Sequence, residues 1–164
     1  MIKKTSPRTQ AVYPYWGLGF PVNLMNVPLM EVEGEWVPDV NFNRVEDVMG
    51  YAVALKPAPL TGQELRFLRR YIGLTLDGAA AKLGVTRQGF IKMEKAGERP
   101  TRMNPASEKL FRMIVLDAKG VKPDQFKRAF DRLFSARPPR KTAYEVDARP
   151  AMLGRRFMEK LLTA

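Results

Sequence analysis

The stretch Leu74–Pro100 reads LTLDGAAAKLGVTRQGFIKMEKAGERP. Thr75 and Thr86 each stand just before a helical pattern, where a hydroxyl can accept a hydrogen bond from an unpaired first-turn amide. Between them Leu76, Ala79, Ala80 and Leu83 share one helical face, and Gly84 followed by Val85 makes a tight corner. The alanines let the next helix cross closely, with Val85 plugging the space between the two. On that next helix Phe90 and Met93 point to a core, while Arg87, Gln88, Ile91, Lys92 and Lys95 share the opposite side. Two short helices joined at a glycine corner are expected here.

Upstream, Thr61-Gly62-Gln63-Glu64 is a capping box, and Leu65, Leu68 and Ile72 continue it at helical spacing. Asn41 or Asn43 can cap a helix to about Leu55, with Val45, Val48, Met49 and Ala52 on one face. Lys56-Pro57-Ala58-Pro59 breaks that helix and reads as a stiff linker. Further back, Val22, Leu24, Asn26 and Met30–Glu33 alternate as short strands, with a hairpin turn at Glu33-Gly34-Glu35 and a return strand at Trp36-Val37. Downstream, helices are expected over 105–119, bearing Leu110, Phe111, Ile114 and Ala118, and over 122–134, bearing Phe126, Ala129, Phe130 and Leu133. The resulting plan is a disordered basic arm over 1–10, a small strand and helix domain over 11–56, and a helical domain over 60–134. A linker over 135–150 and an amphipathic C-terminal helix over 151–164 complete it. The fold class expected is mainly α with a small β-containing N-terminal domain.

The chain contains neither cysteine nor histidine. Disulfides, thiolate or imidazole zinc sites, and nucleophile pairs built on histidine are excluded. No constellation of carboxylates with a base emerges, so the expectation is a protein that is not an enzyme and carries no metal or cofactor. No apolar run reaches the roughly 20 residues that span a bilayer, and no secretory signal opens the chain. A cytoplasmic protein without a membrane partner is expected.

The formal net charge is +11, which points to polyanionic partners. Its distribution is uneven: residues 11–60 hold two basic and six acidic side chains, whereas residues 61–134 hold sixteen basic and eight acidic. One part is suited to nucleic acid and another to protein. The N-terminal turn of a helix such as the one opening at Thr86 is the part that enters a DNA major groove. Arg87 has the planar fork that grips guanine, and Gln88 can pair with adenine. Lys92 can reach a base or a phosphate, and Lys95 a phosphate. The hydroxyls and first-turn amides at Thr75 and Thr86 can bind phosphates. The DNA-binding set is therefore Thr75, Thr86, Arg87, Gln88, Ile91, Lys92 and Lys95.

With these residues in view, 61–100 resembles the phage-repressor (Cro/Xre) helix-turn-helix family. Leu60-Thr-Gly-Gln-Glu-Leu-Arg-Phe-Leu-Arg69 resembles the first helix of the MqsA-type antitoxin regulators. Tyr13-Pro-Tyr-Trp-Gly-Leu18, Val22-Asn-Leu-Met-Asn26 and Gly34-Glu-Trp-Val-Pro-Asp39 resemble the small N-terminal sheet domain of relatives without zinc. The resemblance implies a lambda-repressor-like helix-turn-helix bundle in a homodimeric, autoregulating repressor on a palindromic operator, often an antitoxin encoded beside its toxin. It assigns base reading to Arg87, Gln88 and Lys92. Leu76 departs from the family, standing where relatives often place a DNA-contacting glutamine.

Two other readings stay open: a toxin-neutralising interaction module, and a phage or mobile-element regulator without a toxin. Trp16, Phe20 and Trp36 are expected to fill the small core of the N-terminal part, and Glu31, Glu33, Glu35 and Asp39 to form a solvated hairpin. The alternative for each set is a partner-binding face, and the acidic set would suit a basic toxin.

Overall fold

The central strand of the molecule is β2, Val22–Val32, and every other strand pairs with it. In this computed structural model the described residues are 8–122, 124–125, 127–128, 143–150 and 152–154. Along one edge of β2 runs β1, Arg8–Tyr15, antiparallel in a register from Arg8 opposite Leu29 to Tyr15 opposite Val22. The other edge is shared end to end. β3, Glu35–Pro38, returns antiparallel along Leu29–Val32, while β4, Tyr144–Asp147, lies parallel beside Val22–Met25. The β2–β3 turn places Glu33 and Gly34 at φ of 51° and 88°, the left-handed pair that a two-residue hairpin requires. Asn26 and Pro28 fall in the gap between β3 and β4, so a left-handed residue and one lacking an amide proton break no ladder on that side.

Five helices complete the described part: α1 Phe42–Leu55, α2 Gly62–Tyr71, α3 Leu76–Leu83, α4 Arg87–Glu94 and α5 Pro105–Ala118. Each begins where its cap residue dictates. Asn41, Thr61, Thr75, Thr86 and Asn104 all accept from a first-turn amide, and at α2 Glu64 closes the capping box.

The inner sheet face, Val22, Leu24 and Val27, is fully buried. Phe20 meets Phe67 of α2 edge-on at 5.4 Å, and Tyr15 meets Phe42 of α1 at 4.8 Å. Val45, Met49 and Val53 of α1, Leu65 and Leu68 of α2, Ala79 of α3, Phe90 of α4 and Phe111 of α5 continue the same core without interruption. The Lys56–Pro59 segment, half-buried to exposed, is held against α5. Arg112, 0% exposed, donates to the carbonyls of Ala54, Lys56 and Ala58 at 3.2, 2.6 and 2.6 Å. Its charge is met by Glu108 at 2.5 Å, and Glu108 also accepts from the Leu60 amide at 3.0 Å. The Tyr144 hydroxyl on β4 donates to Glu64, tying the sheet to the start of α2.

Several expectations are corrected. The chain is a small α/β fold, 45% helix with a mixed four-stranded sheet at 22%, and not a mainly α helix-turn-helix bundle. The sheet is a full layer because β1 and β4 join it. Residues 8–10, expected in a disordered arm, begin β1, and residues 144–147, expected in a linker, form β4. On α5 the inward face is Glu108, Phe111, Arg112, Val115 and Leu116, while Leu110 and Ala118 face out. Phe20 enters the core, Trp36 is half-buried under the Arg8 guanidinium at 4.5 Å, and Trp16 stands 66% exposed. The helices expected over 122–134 and 151–164 lie for the most part outside the described residues.

Candidate nucleic-acid interface

The α3–α4 pair is built by its caps and its corner. Thr75 accepts from the Gly78 amide and Thr86 from the Gly89 amide, each at 3.0 Å. Gly84 takes φ of 64°, a left-handed backbone that glycine adopts at little steric cost. The Val85 amide then donates back to Ala80 at 3.1 Å, closing the end of α3. Ala79 and Ala80 are buried where the helices cross, and Leu76, Leu83 and Val85 are half-buried around them.

One arginine sets the position of both helices. Arg69 on α2 donates from Nε to Glu94 at the end of α4 at 2.6 Å, and from its guanidinium to the Leu74 carbonyl before α3 at 2.9 Å. Arg66 adds a second contact to Glu94 at 3.4 Å. Gly62 makes the approach possible: a Cβ there would lie 2.5 Å from the Glu94 carbonyl and 2.6 Å from the Gly97 nitrogen. Backbone bonds from Gly62 to Arg99 at 3.1 Å and from Gln63 to Gly97 at 2.9 Å hold the two ends together. Inside, Phe90 is fully buried and its ring lies 6.1 Å from that of Phe111. The inner side of α4 is therefore fixed at both ends.

Its outer side is open. Thr86, Arg87, Gln88, Lys92 and Lys95 are exposed, as is Thr75 at the start of α3, and Ile91 is half-buried. Each residue singled out from the sequence thus lies on α4, at one of its two caps, or at the N-cap of α3. Arg87 leans across the corner toward Asp77, with Nε 3.4 Å from the carboxylate. Burial sharpens the electrostatics. Of the four acids in 61–102, Glu64 and Glu94 are buried in ion pairs with Lys56 and Arg69. Exposed in the same span are Arg66, Arg70, Lys82, Arg87, Lys92, Lys95, Arg99 and Arg102, against Asp77 and Glu98. The surface is more positive than composition alone indicates, which is the field that attracts a polyanion.

The Arg69–Glu94 latch, the Asp77–Arg87 pair and the Gly62 contact are invisible in the sequence, because each links residues brought together only by the fold. Two tyrosines mark further latches. The hydroxyls of Tyr71 and Tyr144 donate to Asp47 and Glu64, and burial first, then the neighbouring carboxylates, pushes both well above the usual tyrosine range. These groups brace helices and sheet. Among the described residues no group of three or more acidic side chains is placed to hold a metal ion, and no helix is long and apolar enough to cross a membrane. Comparison with protein-family models, curated proteins and solved structures gives no match.

Proposed function

We propose that this chain binds duplex DNA sequence-specifically, through the first turn of α4, and regulates transcription as a homodimer. The observation that carries this reading is the exposed Arg87, Gln88 and Lys92 on a helix held rigidly from behind by Phe90 and the Arg69–Glu94 latch. Groups that read bases gain from being pre-positioned, because less side-chain and backbone freedom is lost on binding. In this reading Arg87 grips guanine, Gln88 an adenine, and Lys95 with the helix starts at Thr75 and Thr86 meets phosphates. Two such helices about 34 Å apart would address a palindrome. Occupancy of the chain's own promoter would repress it, in the manner of the antitoxin regulators whose first helix Leu60–Arg69 resembles.

The test is titration of the protein against the DNA upstream of its own gene, beside scrambled DNA of equal length, across a range of salt. Tight, salt-sensitive binding that favours the upstream DNA is expected. Equal affinity for both would leave only non-specific phosphate binding.

A second reading is neutralisation of a basic toxin by the N-terminal part. It is favoured by the exposed Glu31, Glu33 and Glu35 on the β2–β3 hairpin, on a segment opposite in charge to the helices. Co-purification of a small basic protein with the wild-type chain, lost when these three are changed to lysine, supports it.

A further inference from the structure

β4 is a strand of four residues, and among the described residues it pairs with β2 alone. Parallel pairing is slightly less stable per residue than antiparallel pairing, so side chains must help to hold it. Val146 and Ala148 are buried, the Tyr144 ring lies 5.6 Å from that of Phe20, and the Ala148 amide donates to Met25 at 2.8 Å. The Tyr144 hydroxyl reaches away from the sheet and donates to Oε1 of Glu64 on α2. Glu64 is buried, and its second oxygen is also engaged. Oε2 accepts from the Thr61 amide at 2.8 Å and from Lys56 Nζ at 2.5 Å. The turn capped in this way is bonded to the loop that follows α4. The Gly62 amide donates to Arg99, Gln63 to Gly97, and Thr101 to Leu60, at 3.1, 2.9 and 2.9 Å. One carboxylate thus joins β4 to the turn that holds the end of α4.

We propose that β4 is a strap whose docking sets how firmly the end of α4 is held, with the Tyr144–Glu64 bond as the link. While the strand is docked, both oxygens of Glu64 are fixed, and with them the first turn of α2 and the loop over 97–101. When the strand lifts, a buried carboxylate loses a hydroxyl donor, a change that folded proteins tolerate poorly. The turn then loosens to let water reach that oxygen. Short edge elements open in this way well before the whole domain unfolds. The coupling is mutual by linkage. Whatever fixes α4 favours the docked strand, and whatever captures residues 144–148 frees α4. The proposal uses the DNA reading above only to give that freedom a consequence. The link itself is measured without DNA, so the two ideas fail separately.

Amide hydrogen exchange of the full chain, followed by nuclear magnetic resonance without DNA, is the test. Ala148 reports strand docking, Gly62, Gln63 and Thr101 report the hold on α4, and Lys119, bonded to Val115 at the end of α5, is the control. Val146→Ala removes buried methyl groups from β4 and is expected to speed exchange at Ala148 on the order of tenfold. Gly62, Gln63 and Thr101 should follow it, with Lys119 unchanged. Tyr144→Phe keeps the ring on Phe20 but removes the hydroxyl. It should speed Gly62, Gln63 and Thr101 by about tenfold, as expected for a lost bond to a charged acceptor. In the double variant Val146→Ala should add nothing further at these three amides, because the link is already cut. Wild-type rates there in Tyr144→Phe overturn the proposal, and this variant alone decides if Val146→Ala fails to fold or leaves Ala148 unchanged. Faster exchange at Ala148 with the three amides unmoved, an equal rise at Lys119, or the same effect of Val146→Ala in both backgrounds also overturns it.

Discussion

Replacing Arg112 by methionine is the sharpest probe of what holds the helical layer to the rest. The guanidinium is 0% exposed and serves two tasks. It neutralises Glu108 at 2.5 Å, and it caps the end of α1 and the following segment through the carbonyls of Ala54, Lys56 and Ala58. Methionine fills much of the volume but leaves the Glu108 carboxyl buried and without its counter-charge. Breaking a buried pair in this way costs about 3–5 kcal/mol. For a chain of this size that is a fall in melting temperature of roughly 10 °C. Adding Glu108→Gln removes the stranded charge while keeping an acceptor for the Leu60 amide, but the three carbonyls stay unpaired, at about 1–3 kcal/mol for each that finds no other donor. The double variant should therefore recover only part of the loss. Urea denaturation followed by far-ultraviolet circular dichroism gives all three free energies. A single variant costing less than about 1 kcal/mol, or a double variant as stable as wild type, would refute the capping role assigned to Arg112.

Other outcomes follow from the same geometry. Gly62→Ala puts a methyl group 2.5 Å from the Glu94 carbonyl; since the obstacle is backbone, a loss of about 1–3 kcal/mol is expected in urea melts, together with weaker DNA binding as the α4 end is displaced. Arg87→Ala should cost about 1–3 kcal/mol of binding and relax preference at one base position; equal loss on every sequence would reduce Arg87 to a phosphate contact. Tyr71 and Tyr144 have hydroxyls raised above the unfolded value by burial and by Asp47 and Glu64. The folded state thus holds these protons more tightly, so their contribution is complete below about pH 10 and is lost as pH rises beyond it. The urea midpoint should fall from about pH 9 to about pH 11, less steeply in Tyr144→Phe, and identical slopes would contradict the assignment.

What the sequence discloses is what is local. Thr61 with Glu64, Thr75, Thr86, Gly84 and Glu33-Gly34 act within three or four residues, so the boundaries of α2, α3, α4 and the β2–β3 turn are legible in the residue order alone. β4 is not, because its strand partner Val22–Met25 lies some hundred and twenty residues away and four residues carry little pattern. β1 is obscured by a polar start at Arg8 and by Pro14, both tolerable on an edge strand. On α5 apolar residues occupy both sides, so periodicity cannot separate the core-facing Phe111 from the outward Leu110. A fully buried arginine runs against the expectation for charge, and oxygen partners distributed over 53–108, brought together only by the fold, explain it. The candidate site is legible as a set of residue types on one helix. Its bracing by Arg69 and Gly62 is not.

The central claim is that the first turn of α4 reads base edges in duplex DNA. Hydroxyl-radical and base-modification footprinting of the full chain on the DNA upstream of its own gene tests it most directly. Two protected major-groove segments one helical turn apart are expected, with guanine protection lost from both in Arg87→Ala while phosphate protection persists. Protection confined to the backbone, or a footprint unchanged by Arg87→Ala and Gln88→Ala together, would contradict it.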